Sequence, residues 1–356
     1  MKILFDHQLF SWQRYGGASK YFSMLLSHLP KDVWDTTTIF SNNAYIEALD
    51  LFPRTHFLYN HFFKGQGRIM HELNKPYTCY RLNRRDYDVY HQTHFEPFGL
   101  RWIGNKPMVT TFHDTNFSTL NPNPTVVKWQ KKSLERADRI IAISENTRRD
   151  VIELFNLNPD KVTVIYHGIE PVRQYDSPRL IDNLYILYVG TRENHKNFGR
   201  FIEAFSKIAP KYTDLKLVCT WKSFSEKEIE QFSRLKIPNQ VIHFSASEDE
   251  MNILYRDALF FCFPSLYEGF GMPILEAMAN HCPVVLSNAS CFPEIAADAG
   301  LYFNPNDGDD MVDKMEQIIN DSSLRKSLIG KGDLRVKDFS WDKCAQQHLE
   351  VYKSLL

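Results

Sequence analysis

Short, near-continuous apolar runs recur along this chain, separated by stretches long enough to hold a helix. That recurrence restricts the fold more than any other feature. In the first half the runs are Lys2–Phe5, Thr36–Phe40, Thr55–Tyr59, Asp88–Gln92, Met108–Phe112, Arg139–Ile143 and Val162–Tyr166. In the second half they are Leu184–Val189, Leu215–Thr220, Gln240–Phe244, Leu259–Phe263, Pro283–Ser287 and Gly300–Phe303. Strands that are apolar on both faces belong in a parallel sheet covered by helices on both sides. Helices are expected at Lys20–His28, Asn197–Lys207, Glu226–Arg234, Glu276–Asn280, Asp309–Ile319 and Trp341–Leu356. A chain of 356 residues exceeds one hydrophobic core, so the two series imply two Rossmann-like α/β domains. Glu170–Pro178 is polar, carries two prolines and lacks apolar periodicity, which makes it the break between them. The expected domains are 1–172 and 183–336.

Cysteine and charge usage narrow the setting. Cys79, Cys219, Cys262, Cys282, Cys291 and Cys344 are scattered and form no C-x-x-C pair, as expected of reduced core thiols in a cytoplasmic protein. The first residues, Met1-Lys2-Ile3-Leu4-Phe5, meet Asp6 and His7 before any signal-peptide core develops. No apolar run approaches the roughly 20 residues that a spanning helix requires. The net charge of −1 conceals an asymmetry: residues 1–175 carry 22 Lys+Arg against 17 Asp+Glu, and the remainder 20 against 26. A mildly basic first half suits an anionic membrane surface or a phosphorylated acceptor, and a chance surplus of that size reads the same.

The segment Phe263-Pro-Ser-Leu-Tyr-Glu-Gly-Phe-Gly-Met-Pro-Ile-Leu-Glu276 carries the most chemistry. Its order is strand, polar turn, glycines, helix, which is how a parallel sheet offers backbone N–H groups to a phosphate. Glu268 and Glu276 bracket Gly269-Phe270-Gly271-Met272. In Gly190-Thr191-Arg192-Glu193-Asn194-His195-Lys196-Asn197 two cations bracket a strand-to-helix turn. They could neutralise a pyrophosphate, Arg192 as a fork and Lys196 as a point charge, or simply be solvated. Gly16-Gly17 follows the first strand, where the missing Cβ atoms allow a ligand close to the backbone or merely a tight turn. His113 ends an apolar strand and so faces the ligand side of its sheet, with Asp114 beside it as an orienting or capping group. His167 also ends a strand and is expected to be hinge structure. Ser144 is expected to cap a helix on which Arg148 sits, where it could reach an acceptor phosphate but reads better as part of a solvated helix face.

Together these segments resemble the donor-site signature of glycosyltransferase family 4, over nearly the whole chain and in the family's order. The resemblance implies the GT-B fold, two Rossmann-like domains facing across a cleft, with the closing helix 341–356 returning to the first domain. It implies a retaining hexosyltransferase that uses a nucleotide-sugar donor and no metal or other cofactor. By resemblance, Glu268 would hold the sugar hydroxyls and Glu276 the ribose. Arg192 and Lys196 would hold the pyrophosphate, while Gly269, Phe270, Gly271 and Met272 form the phosphate-side turn. Gly16 and Gly17 would lie beneath the donor phosphate, Ala246 beside the base, and His113 near the anomeric carbon. The acceptor would be a glycan or a lipid-linked glycan of the O-antigen or capsule type, with GDP-mannose or a GDP-deoxyhexose the favoured donor and a UDP-sugar next. The expected location is the cytoplasm, peripheral on the inner membrane face, with no nucleic-acid partner. The alternatives are a sugar-nucleotide epimerase on the same fold, or a non-catalytic nucleotide- or carbohydrate-binding protein.

Three further features are weighed. Asp86-Tyr87-Asp88 could pass for a metal-binding D-x-D but precedes a first-half strand and reads as a turn. No His/Cys cluster has zinc spacing. Phe10–Tyr15, Phe62-Phe63-Lys64 and Lys128–Lys132 mix aromatics with cations, which suits a membrane interface, sugar stacking or core packing.

Overall fold

A computed structural model of the chain describes residues 1–58, 61–115, 122–171, 177–192 and 194–356, and within them every strand ladder is parallel. The chain separates into two units, Met1–Gly168 with Ser340–Leu356, and Ile169–Phe339. Of the expected break, residues 172–176 lie outside the described residues.

Unit 1 holds β1 (Ile3–Phe5), β2 (Trp34–Thr36), β3 (Val89–Gln92), β4 (Met108–Phe112), β5 (Arg139–Ala142) and β6 (Val162–Val164), in the order β2-β1-β3-β4-β5-β6. Its helices are α1 (Gln8–Trp12), α2 (Gly17–His28), α3 (Ala44–Ala48), α4 (Gln66–Arg84), α5 (Leu100–Ile103), α6 (Pro124–Arg136) and α7 (Glu145–Phe155). Unit 2 holds β7 (Tyr185–Tyr188), β8 (Lys216–Cys219), β9 (Val241–His243), β10 (Phe260–Phe263), β11 (Val284–Ser287) and β12 (Gly300–Phe303), in the order β12-β11-β10-β7-β8-β9. Its helices are α8 (Phe198–Ile208), α9 (Glu226–Arg234), α10 (Glu248–Asp257), α11 (Met272–Ala279), α12 (Phe292–Ala296), α13 (Gly308–Asn320) and α14 (Ser322–Arg335). The chain then returns to unit 1 as α15 (Trp341–Lys353).

Each strand order reverses once, at β1/β3 and at β7/β10, and such reversals open a crevice beyond the strand C-termini. In unit 2 the central strands are buried throughout, and α8 and α13 cover one face with Phe201, Phe205, Met311 and Met315. In unit 1, α15 is tied to the layer beneath it by buried polar pairs. The Tyr21 hydroxyl meets His348 Nε2 at 2.7 Å, and the Tyr352 hydroxyl meets His91 Nδ1 at 2.6 Å. Gly168 lies directly under the start of α15, where a Cβ would come within 2.1 Å of the Trp341 nitrogen. His167 is buried between the rings of Tyr21 and Trp341.

Several elements differ from the sequence expectation. The second strand ends at Thr36, not Phe40, because the Asn74 amide oxygen accepts from the Ile39 and Phe40 nitrogens, each at 2.9 Å. Of the expected strand Thr55–Tyr59 only an isolated bridge from Thr55 to Phe40 forms, and Tyr59 lies outside the described residues. The helix expected at Glu276–Asn280 begins earlier, at Met272, because Gly271 takes a left-handed conformation that starts it. The longest helix, α4, has no counterpart among the expected helices.

Candidate active site

In unit 2 the candidate residues gather in the turns beyond the C-termini of β7 and β10. Gly190 leaves β7 with φ +121°, and the turn is held by the Tyr188 hydroxyl donating to the Thr191 carbonyl at 2.6 Å. Leu266 N donates to His195 O at 2.8 Å, which stitches the β7 turn to the β10 turn. Across that stitch Lys196 Nζ donates to Glu268 Oε1 at 2.6 Å, and the ammonium lies 5.5 Å from the Phe263 ring centroid. Glu268 is fixed by its backbone: its N–H donates to Ser290 Oγ at 3.1 Å, and Ser290 Oγ donates to its carbonyl at 2.6 Å. The sequence thus builds a carboxylate and an ammonium on two separate loops and clamps both.

Arg192 is placed differently from the open cation the sequence suggested. It pairs with Glu228 of α9, and its Nη2 donates to the Lys222 and Ser223 carbonyls, each at 2.9 Å. The guanidinium packs against Phe224, 5.0 Å from the ring centroid, and the side chain is 8% exposed. Burial works to raise the Glu228 carboxyl, but hydrogen bonds from Arg192 and Ser225 outweigh it and hold the carboxyl below its usual range. Arg192 Nη1 is buried with no hydrogen-bond partner among the described residues. Asn197, next to Lys196, is buried and donates to the Pro305 carbonyl at 2.8 Å, so it anchors the start of α8.

The β10–α11 turn carries the rest. Phe270 is buried, with its ring edge-on to Phe339 at 6.0 Å, so its side chain is packing and only its backbone could meet a ligand. Gly271 has φ +87° and opens α11 at Met272. Glu276 lies one turn into α11 and accepts from the Tyr255 hydroxyl at 3.3 Å. Burial, and then the nearby Glu276 charge, push the Tyr255 hydroxyl well above its ordinary pKa, so it stays a proton donor. Ala246 follows β9 just before Ser247, which caps α10.

Unit 1 places Gly16 and Gly17 at the start of α2, where a Cβ on Gly17 would meet nothing within 4 Å and one on Gly16 would meet the Gln13 amide at 2.3 Å. His113 ends β4 with Tyr21 of α2 edge-on at 5.2 Å. Burial, with His94 adding to it, lowers its pKa to about 3, so the ring is neutral at pH 7. Its Nε2 is buried without a hydrogen-bond partner among the described residues.

A cluster that the sequence did not single out lies beyond the C-termini of β1 and β3. His7 Nδ1 meets Thr78 Oγ1 at 2.6 Å and His7 Nε2 meets His71 Nδ1 at 3.1 Å, while His71 Nε2 is bonded to Glu96. The rings of His71 and His94 each lie 4.5 Å from Trp12. His71, Glu72 and Glu96 are close enough to share a cation, but Lys75 already donates to both carboxylates, at 2.7 and 2.6 Å. No periodicity could have found this group, whose members come from the turn after β1, α1, α4 and the loop after β3. Arg148 and the Asp86/Asp88 pair prove structural: Arg148 donates to the Val162 carbonyl at 3.1 Å, Asp88 accepts from the Lys2 nitrogen at 2.7 Å, and Asp86 pairs with Arg81 and Arg84. All six cysteines are free.

Residues 15–173 match the family described as Glycosyltransferase Family 4, and residues 176–335 the family of glycosyl transferases group 1. The chain is 31% identical to the O-antigen chain mannosyltransferase B of Escherichia coli over 310 residues, which is 81% of this chain and 79% of that one. The chain belongs to glycosyltransferase family 4. A second relative is the O-antigen chain mannosyltransferase RfbU of Salmonella typhimurium, 29% identical over 58% of this chain and 63% of that one. Among solved structures this glycosyltransferase is similar to Anabaena HepE in complex with UDP and glucose, with a TM-score of 0.80 and 20% identity over 99% of this chain and 100% of that one. The two six-stranded parallel sheets are therefore those of a GT-B α/β protein. The epimerase and binding-protein alternatives find no support among these relatives.

Proposed function

We propose that this glycosyltransferase transfers mannose from GDP-mannose to a glycan or lipid-linked glycan acceptor in the assembly of an O-antigen-type surface polysaccharide, with retention at the anomeric carbon and without a metal. The Lys196–Glu268 pair carries the reading: an ammonium and a carboxylate held 2.6 Å apart beyond two adjacent parallel strands. In the reaction proposed, Lys196 turns from Glu268 to the donor diphosphate and stabilises the negative charge that grows as the C1–oxygen bond breaks. Glu268 then accepts from sugar hydroxyls. Glu276, oriented by Tyr255, accepts from the ribose hydroxyls. Arg192, braced by Glu228, contributes its guanidinium charge to the phosphate side of the site. The acceptor oxygen bonds to C1 on the face the phosphate leaves, and its proton passes to the departing phosphate oxygen. The sugar assignment rests on the mannosyltransferase relatives in E. coli and S. typhimurium.

The test is a donor panel of GDP-mannose, GDP-fucose and UDP-hexoses with mannose-terminated acceptors, reading nucleoside diphosphate release and the anomeric configuration of the product by NMR. GDP release with an α-linked mannose product is expected. Transfer from a UDP-sugar alone would overturn the donor, and a β-linked product from the α-linked donor would overturn retention.

A further inference from the structure

Helix α4 is inside out. Its inward residues are Gln66, His71, Asn74, Thr78 and Arg81, all polar, with only Met70 and Leu82 apolar beside them. The partners of the polar five lie within unit 1: His71 meets His7 and Glu96, Asn74 meets Ser11 and the Phe40 carbonyl, Thr78 meets Thr37 and His7, Arg81 pairs with Asp35, and Gln66 donates to the Phe57 carbonyl. Its outward residues include Ile69, Leu73, Pro76 and Tyr80, spaced by four, three and four, so they form one continuous apolar stripe. Phe62 and Phe63 stand immediately before the helix. Phe62, Phe63, Ile69, Leu73 and Tyr80 are each between 41% and 53% exposed. A water-facing helix has the opposite arrangement, so this stripe is built to be covered.

Charge selects the cover. Residues 61–85 contain Lys64, Arg68, Lys75, Arg81, Arg84 and Arg85 against the single carboxylate Glu72, a surplus of five. Outside this segment the first 175 residues have 16 cations and 16 carboxylates, so the whole basic surplus of that half sits on and beside α4. Arg81 and Lys75 are paired inward, whereas Lys64, Arg68, Arg85 and Arg84, the last beside Asp86, are exposed around the stripe. A second copy docking by two-fold symmetry would bring this basic rim against itself. An anionic bilayer would accept the apolar stripe into its interfacial layer and pair headgroups with the rim. No helix among the described residues is long and apolar enough to cross a membrane, so the helix would lie on it.

We propose that the outward face of α4, with Phe62 and Phe63, docks this protein on an anionic lipid surface. The inference stands apart from the identity of the donor sugar. The test is flotation of the full chain with vesicles of phosphatidylcholine, alone or mixed with phosphatidylglycerol, at low salt. Binding is expected to the mixed vesicles only, to weaken with added salt, and to vanish in the triple variant Ile69→Ser, Leu73→Ser, Tyr80→Ser. The double variant Lys64→Gln, Arg68→Gln should bind about 25-fold more weakly, at roughly fivefold per cation removed. Melting curves verify folding, and Phe62→Ser with Phe63→Ser replaces the triple variant if that one melts early. No flotation of the wild type, or flotation unaffected by the apolar substitutions, overturns the proposal. So does dimerisation that the same substitutions abolish, in a protein that ignores vesicles.

Discussion

Replacing Lys196 by alanine separates charge stabilisation from folding. The ammonium is 2.6 Å from the Glu268 carboxylate, and the two side chains are 17% and 16% exposed. A phosphate charge taking the place of that carboxylate at about 4 Å would interact with the ammonium by roughly 4 kcal/mol, at the effective dielectric of about 20 that suits a site near the surface. If that interaction is realised as the glycosidic bond breaks, its loss lowers the rate about 10³-fold, at roughly 1.4 kcal/mol per decade. The folded state loses far less. Glu268 keeps its backbone bonds to Ser290, and a part-exposed carboxylate released from Lys196 is rehydrated. The unfolding free energy should fall by only about 1 kcal/mol, near the top of the range for pairs that touch water. The assay pairs initial rates of nucleoside diphosphate release with urea unfolding of the same preparation. Lys196→Arg, which keeps the charge and changes its shape, should recover part of the rate. In the double variant Lys196→Ala, Glu268→Ala the losses in kcat/KM should fall short of additive, because both groups act on one donor. Turnover within a few-fold of wild type in folded Lys196→Ala would refute the reasoning, and so would an unfolding loss large enough to explain the inactivity by itself.

Other perturbations probe neighbouring parts. Glu276→Ala should raise the nucleoside diphosphate Kd at least about tenfold, since the ribose hydroxyls would lose a charged acceptor, while Tyr255→Phe, which only frees that carboxylate, should have a smaller effect in the same direction; isothermal titration with the nucleoside diphosphate measures both. Gly271→Ala forces a Cβ onto a residue with φ +87° and to 3.1 Å from Ile274 Cδ1, and should destabilise unit 2 by roughly 1–2 kcal/mol, read in urea. Acid should unfold unit 1 first. Burial depresses His7, His91 and His167 well below 6.5, and takes His94 and His348 to about 4 and His113 to about 3. These rings stay neutral when folded but take up protons when unfolded, so stability is full above about 6.5 and falls as pH drops toward 4. Asp6, pushed up by burial, acts in the opposite sense as a single group. Urea midpoints that do not fall between pH 7.5 and 5.5 would contradict this.

The unit 2 site was legible because its chemistry is local. A β10 strand, a glycine turn and the first turn of α11 put Glu268 and Glu276 within one short segment, and the β7 turn does the same for Lys196. Period-two and turn signals suffice to place such groups. The sequence could not show that Arg192 would be braced by Glu228, thirty-six residues away, because that pairing depends on where α9 packs. It also misplaced the start of α11, where a left-handed glycine begins a helix that composition alone would start later.

Unit 1 was harder to read for a reason that connects its two unexpected features. The turns after β1 and β3 place Asp6, His7, Gln8, Thr93 and Glu96 beyond the sheet, and those groups need polar partners once water is excluded. Helix α4 partners two of them, His7 through His71 and Thr78 and Glu96 through His71 and Lys75, while its Asn74 and Arg81 meet Ser11, the Phe40 carbonyl and Asp35, so much of its buried face is polar. With polar residues inward and Ile69, Leu73 and Tyr80 outward, it has the spacing of an amphipathic helix with the sign reversed. Pro76 sits on the open face, where it does not disturb those inward bonds, although it interrupts the sequence pattern. A search for a helix with an apolar core face passes over such a segment. The reversal is economical only if the outward face has its own apolar surroundings, and the cations gathered around it favour an anionic lipid surface over a second protein copy.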